Sequence, residues 1–566
     1  MYRPPPPPNM SKYAISSASL LFVICYACSI LVFNIESDDF GNNKKNTIPL
    51  IPISSTQANR TTNSDRCRIS TVNGNLVDKI VNFTSAINES SWRNDISHIT
   101  SGSKSIFYIY NPRNIYHVRD EILVRIQARD MQGRNKTFGG DYFRARMVSP
   151  ARNASVNPNG IVDRGDGTYD AHFTIRWPGR SDISVILVHP AEAVSVIRRA
   201  IQQLPNRLVY SGLFVAPWNH QVKETVPCDV IPPEGRICNY SDVRVYAPWY
   251  CRKPSIENLQ CSHLNDICSY DSEARRKVEQ ITTKDERELL TQMKIPLWSS
   301  TSLTASERVD TCEPNLSLCN LRHVPRDMYA HGYFLQDKWH PFDCKSKHFE
   351  RNEISKCLTN KRFYIYGDST GRQFMEYLLK YLTGFKTIED ENENLGPHKH
   401  YHPQHNITLF HVFHGMPFRT GKCSSFREVR YVSNELDQLE GGPDLVILLS
   451  LWAHFQKTSL FLYEQRILGI LDAADRLLKR SPGTSIIFKG ANTRQVGDFF
   501  WTVSSTDWIA YQFELKLRQI ISRSSVNVGF IDAWDLSSAH YSEDDIHPND
   551  VILGTMIDQL LTHVCM

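Results

Sequence analysis

Arg362-Phe363-Tyr364-Ile365-Tyr366-Gly367-Asp368-Ser369-Thr370-Gly371-Arg372 joins an apolar, aromatic-rich run directly to a glycine, an acid and a serine. Arg362 to Tyr366 reads as a strand and Gly371 to Leu382 as a helix, which puts Ser369 at a strand-to-helix junction. There its hydroxyl stands at a sheet edge, beside the amides that open a helix and can stabilise an oxyanion. A serine hydroxyl is a weak nucleophile and needs a base within hydrogen-bond reach, a role that an imidazole fills.

Downstream the same grammar continues. Asp444 to Leu449 reads as a buried strand, Tyr463 to Lys479 as a helix, Ser485 to Lys489 as a strand, Trp508 to Ser522 as a helix and Val526 to Asp532 as a strand. Alternating strands and helices imply a largely parallel sheet covered on both faces, and such sheets bind ligands beyond the carboxyl ends of their strands. Asp544-Asp545-Ile546-His547-Pro548 follows the last strand. An Asp three residues before a His can hold the imidazole in one tautomer and stabilise the imidazolium that forms when Ser369 gives up its proton. Asp545 is an alternative for that role. Either motif alone is common, and a Gly-Asp-Ser usually marks a turn. Set after the first and the last strands of one α/β pattern, they point to catalysis.

Other histidines carry less. His398, His400, His402 and His405 read as a Pro- and Asn-containing loop without fixed facing geometry, so no metal site is expected. His454, near a strand end, either faces the site or fills its wall.

Upstream, from about Ser105 to Ala193, the pattern changes to short alternating runs such as Ile122-Leu123-Val124-Arg125-Ile126 and Tyr142-Phe143-Arg144-Ala145-Arg146-Met147-Val148. Alternation of this kind marks half-buried strands, here of an antiparallel β-sandwich. Asp163 to Tyr169 resembles the turn-and-strand signature of filamin-type immunoglobulin repeats. It reads as a hairpin turn and not a calcium loop, since the downstream bidentate Glu is missing. Cys228, Cys238, Cys251, Cys261 and Cys268 then crowd together, with Cys312 and Cys319 further on. Without paired C-x-x-C spacings they read as disulfides of unspecified connectivity, not as a zinc site.

Tyr13 to Ile35 carries no charge and is long enough for a helix to cross about 30 Å of hydrocarbon, so it reads as an uncleaved signal-anchor. Cys25 and Cys28 sit inside it. The other twelve of the 14 cysteines, and N-glycosylation acceptors at Asn59, Asn82, Asn88, Asn135, Asn153, Asn239, Asn315 and Asn406, place the body in an oxidising lumen or outside the cell. The tail holds Pro4 to Pro8, an extended solvated segment. A net charge of +4 over 566 residues gives no basic surface suited to nucleic acid. The chain thus divides into a cytoplasmic tail (1–12), a transmembrane helix (13–35), a flexible glycosylated stalk (36–104), a β-sandwich (105–200), a cysteine-rich connection (201–325) and an α/β domain (326–566).

Gly367 to Gln373, the stretch Gly332 to His340 with Cys344, and Asp544 to Pro548 resemble the PC-esterase branch of the SGNH/GDSL superfamily. The preceding β-sandwich and cysteine cluster resemble a neurexophilin module. That order is similar to the neurexophilin and PC-esterase domain (NXPE) family, and the resemblance runs from about Ser105 to the C-terminus. It implies a flavodoxin-like three-layer SGNH hydrolase fold for the C-terminal domain, and esterase or O-acetyltransferase chemistry on glycans, with sialic acid O-acetylation a candidate reaction. Carried over by position, Ser369 is the nucleophile, His547 the general base and Asp544 its orienting carboxylate. The oxyanion donors would be the amides of Ser369 and Gly415, with Asn492 standing in for the asparagine missing from Ser450-Leu451-Trp452-Ala453-His454. No cofactor is expected to stay bound; acetyl-CoA or another acyl donor enters as substrate, and a glycan or glycoprotein is the acceptor. A type II membrane protein of the Golgi follows, with a secreted form also compatible. The competing reading is a catalytically silent glycoprotein whose neurexophilin-like domain binds a protein partner.

Overall fold

Leu445–Ser450 runs wholly buried through a seven-stranded sheet. In this computed structural model, which describes residues 95–307, 316–322, 330–390, 395–418 and 423–565, that strand lies between Arg362–Gly367 and Ser485–Lys489, parallel to both. Ile407–Val412 and Gly529–Ile531 flank the trio, also parallel. Numbered by chain position, the five parallel strands lie in the order 2-1-3-4-5, the order of flavodoxin-like doubly wound sheets. Alternate residues face opposite layers. Leu445, Ile447 and Leu449 pack with the helices Leu460–Arg480 and Asp507–Arg523. Val446 and Leu448 pack with Ser369–Tyr381 and Asp550–Val564. The α/β expectation holds, and the first helix begins at Ser369 itself, two residues earlier than its sequence pattern indicates.

The tract from His398 to His405 is a correction. His398–His402 is a strand, antiparallel to Ile407–Val412 over its whole length, with His398 and His402 buried at its ends and the three residues between them half-exposed. The sheet edge is completed by Lys386–Asp390.

Ahead of this domain, two sheets, antiparallel but for one parallel edge pair, share a core of Val124, Ile126, Ala171 and Phe173 from one and Phe143, Ala145, Met147 and Val185 from the other. Asp163 and Asp166 accept backbone amides of Gly140, Gly165 and Thr168, the work of turn residues. The expected boundaries at 200 and 326 are redrawn. Thr301–Ser306 pairs with Gly179–His189, and the hairpin Gly332–Leu335 and Lys338–Pro341 joins the same sheet through Phe334 opposite Ser155. Later strands thereby cover edges that the sandwich would leave open. The stalk boundary at 104 also moves, since the Ser101 amide donates to the Arg129 carbonyl at 2.8 Å and Thr100 bridges Asp130.

In the cysteine-rich region, Tyr210–Ala216, Asn219–Asp229 and Leu264–Ser269 form a sheet whose edge strand, Cys423–Ser425, comes from the C-terminal domain. Disulfides join Cys228 to Cys251, Cys238 to Cys261, Cys268 to Cys423, Cys319 to Cys344 and Cys357 to Cys565. Cross-links of this density fit a secretory or extracellular body. The expected tail, the anchor at 13–35, the stalk up to residue 94, Cys67, Cys312, and the acceptors Asn59, Asn82, Asn88 and Asn315 lie outside the described residues. Among the described residues no helix is long and apolar enough to cross a membrane. Asn135, Asn153, Asn239 and Asn406 are exposed.

Candidate active site

The strand Arg362–Gly367 delivers the chain onto Ser450, and glycine makes the approach feasible. A Cβ on Gly367 would stand 2.4 Å from the Ser450 carbonyl oxygen, and one on Gly371 would stand 3.0 Å from the Ser450 Cβ. Between them, buried Asp368 caps the helix. Its Oδ1 accepts the Thr370 amide at 2.9 Å and the Thr370 hydroxyl at 2.7 Å, while its Oδ2 accepts the amides of Trp452 and Ala453. The indole of Trp452 donates to the Thr370 hydroxyl at 3.0 Å, which closes the brace. With the Thr370 amide capped and the Gly371 amide donating to the Asp368 carbonyl, the Ser369 amide stands at the open mouth of the helix.

Half-buried Ser369 meets the exposed His547 there: Oγ and Nε2 are 2.8 Å apart. With the imidazole proton on Nδ1, Nε2 accepts the hydroxyl hydrogen, the geometry of a nucleophile and its base. Asp544 does not join them. Its carboxylate accepts hydrogen bonds from Arg144 at 3.0 and 3.1 Å and from Lys294 at 2.7 Å, and none of them reaches the His547 ring. Burial alone would raise this carboxyl, but the Arg144 and Lys294 charges outweigh it and hold it well below the usual carboxylate range. Asp545, the alternative orienter, instead accepts the His547 backbone amide at 2.9 Å. The expected triad is therefore a Ser-His pair with its neighbouring acids engaged elsewhere.

The two further oxyanion donors are corrected likewise. Asn492 is fully buried, and its side-chain nitrogen donates to the carbonyls of Thr493, Asp545 and Ile546. Its oxygen accepts from the Lys489 ammonium at 2.9 Å. Asn492 therefore fastens the loop that carries His547. Burial pushes that lysine down to about 8. Gly415 is buried, a Cβ there would meet the Tyr431 ring and the Arg430 carbonyl, and it does not line the cleft at Ser369.

That cleft holds about 440 Å³, with Ser369 and His547 joined by His454, Lys457, Arg494 and Trp501 in its lining. His454 thus faces the site, its ring 5.1 Å from that of Phe413. The Lys457 ammonium lies 4.4 Å and the Arg494 guanidinium 5.5 Å from the Trp501 ring, so one wall is aromatic and cationic. Lys457 also pairs with Asp271 at 3.1 Å. Sequence reading passed over Lys457, Arg494 and Trp501 because no local spacing brings them together.

Two family models match the chain. One described as NXPE family member 4-like, C-terminal domain, covers residues 339–565, and one described as Neurexophilin covers residues 90–284.

Proposed function

The chain belongs to the neurexophilin and PC-esterase domain (NXPE) family, and from that premise we propose that it is a lumenal acyl esterase or O-acetyltransferase of SGNH type acting on glycans. The observation that carries the reading is the 2.8 Å approach of the Ser369 hydroxyl to His547 Nε2 at the mouth of the cleft. In the first step Oγ attacks the donor's acyl carbonyl, its proton passes to Nε2, and the collapsing intermediate expels the donor group, which takes that proton. The acyl group is then an ester on Ser369. In the second step a sugar hydroxyl, or water, gives its proton to Nε2 and bonds to the acyl carbon; the Oγ–acyl bond breaks and Nε2 hands the proton to Oγ, restoring the serine and the neutral imidazole. The Ser369 amide is positioned to donate to the oxyanion in both steps. The cationic, aromatic wall of Lys457, Arg494 and Trp501 supports an acidic sugar such as a sialic acid as acceptor. Acetyl-CoA or another activated acyl ester would serve as donor, and a signal-anchor at 13–35 would hold the enzyme in the Golgi as a type II protein.

The test is a serine-reactive fluorophosphonate, followed by mass spectrometry of cell-surface and secreted glycans. Wild type should be labelled and should change the acetyl-mass increments, adding them as a transferase or removing them as an esterase, and Ser369→Ala should do neither. Absence of labelling and of any glycan change in wild type would leave the partner-binding reading.

A further inference from the structure

We propose that the β-sandwich is a working part of this active site: Arg144, seconded by Lys294, tethers Asp544 and so sets the place of His547, making Arg144 a positioning residue and Asp544 an anchor of the catalytic loop. The inference rests on the catalytic reading of Ser369 and His547. Its basis is a run of grips along one stretch of chain. Arg144 and Arg146 lie two apart on the strand Tyr142–Ser149, so they project from the same face while Phe143, Ala145 and Met147 fill the sandwich core. Arg146 donates to the His540 carbonyl, and Asn157 donates to the Asp535 carbonyl at 3.1 Å and to the Ser538 hydroxyl at 2.7 Å. Arg144 then takes Asp544, 400 positions away in sequence. The segment from Asp535 to Asp544 is thus held at four residues by three side chains of the sandwich.

The last grip is the most strongly built. Arg144 lies 2.7 Å from Asp507 and 3.0 Å from Asp544, and Lys294 lies 2.9 and 2.7 Å from the same two carboxylates. Two cations and two anions alternate with little exposure, so the pairing is weakly screened and directionally fixed. Asp507 opens the helix Asp507–Arg523 and accepts the Arg494 amide at 2.9 Å, which ties the cleft wall to the same cluster. From the other side, Asn492 holds the carbonyls of Asp545 and Ile546, and Gln495 accepts the Ile546 amide at 3.0 Å. His547 therefore extends from a segment clamped between two domains. Its reach to Ser369 depends on both.

The full-length protein tests this in two ways. Second-order labelling rates with the fluorophosphonate across pH compare wild type, Arg144→Lys, Asp544→Asn and the double variant, and hydrogen–deuterium exchange reads residues 540–549. Arg144→Lys keeps the charge and the fold but cannot span two carboxylates with a planar fork. The tether predicts that either single change slows labelling by up to about 100-fold. It predicts further that the double variant is no slower, that the pH midpoint stays put, and that exchange rises in 540–549. The proposal is overturned if Arg144→Lys labels and exchanges like wild type. It is equally overturned if Asp544→Asn alone loses the rate and moves the midpoint, the mark of direct action on the imidazole. A wild type that does not label counts against the catalytic reading, while the exchange measurement still decides the tether.

Discussion

The Asp368 carboxylate accepts the Ala453 backbone amide at 2.8 Å and so joins two strand ends 85 positions apart. Its other oxygen caps the nucleophile helix, and both oxygens are needed as acceptors. Asp368→Asn keeps only one acceptor oxygen and turns an NH2 group toward amides that themselves donate. Thermal unfolding should show a loss of about 1–3 kcal/mol, together with slower Ser369 labelling.

Ser369→Ala should abolish acyl transfer while leaving the unfolding midpoint within experimental scatter, because among the described residues the half-buried hydroxyl bonds to His547 alone. His547→Gln should lower turnover by about 100- to 10,000-fold. Combining the two should be no worse than Ser369→Ala alone, as for residues that act as a unit.

For Asn492, Asn492→Leu separates two roles. A lost oxyanion donor would reduce turnover by about 100- to 1,000-fold with stability intact. The loop-fastening role predicts lower stability, by about 1–3 kcal/mol, since the Lys489 ammonium loses the side-chain oxygen it donates to. Urea unfolding beside turnover reads both.

His189 is fully buried beside Asp507 and Lys294, and burial pushes it from 6.5 down to about 4. The folded state therefore binds fewer protons than the unfolded chain between those values. Stability falls as pH drops below about 6.5 and levels off near 4. At pH 5 the loss from this group is about 2 kcal/mol. His189→Phe should reduce the difference between the unfolding free energies that urea titrations give at pH 7 and 5 by about that amount. His411, which burial pushes down to about 3, keeps part of the slope in place.

Short-range pattern was the legible part. Leu445 to Leu449 declare a buried strand by an unbroken apolar run, Ser369 declares itself by directly following the strand Arg362–Gly367, and His547 by its place in the segment after the last strand. The strand His398–His402 was hidden because its alternating side chains are all polar or aromatic and it is flanked by prolines at 397 and 403. Arg144 was invisible for a different reason. On its own strand it is one more outward-facing arginine, and only the fold shows that Asp544 waits across the domain junction. The same distance disguised Asp544, whose place three residues before a histidine made a local partnership look sufficient.

Strands from residues 301–306 and 332–341 complete the sandwich, Cys423–Ser425 completes the cysteine-rich sheet, and a disulfide binds Cys268 to Cys423. Cutting the backbone once between the modules would therefore release neither. Each half would stay woven into its neighbour's sheets, and the nicked chain would come apart only once those strand pairings and the Cys268–Cys423 link were lost together.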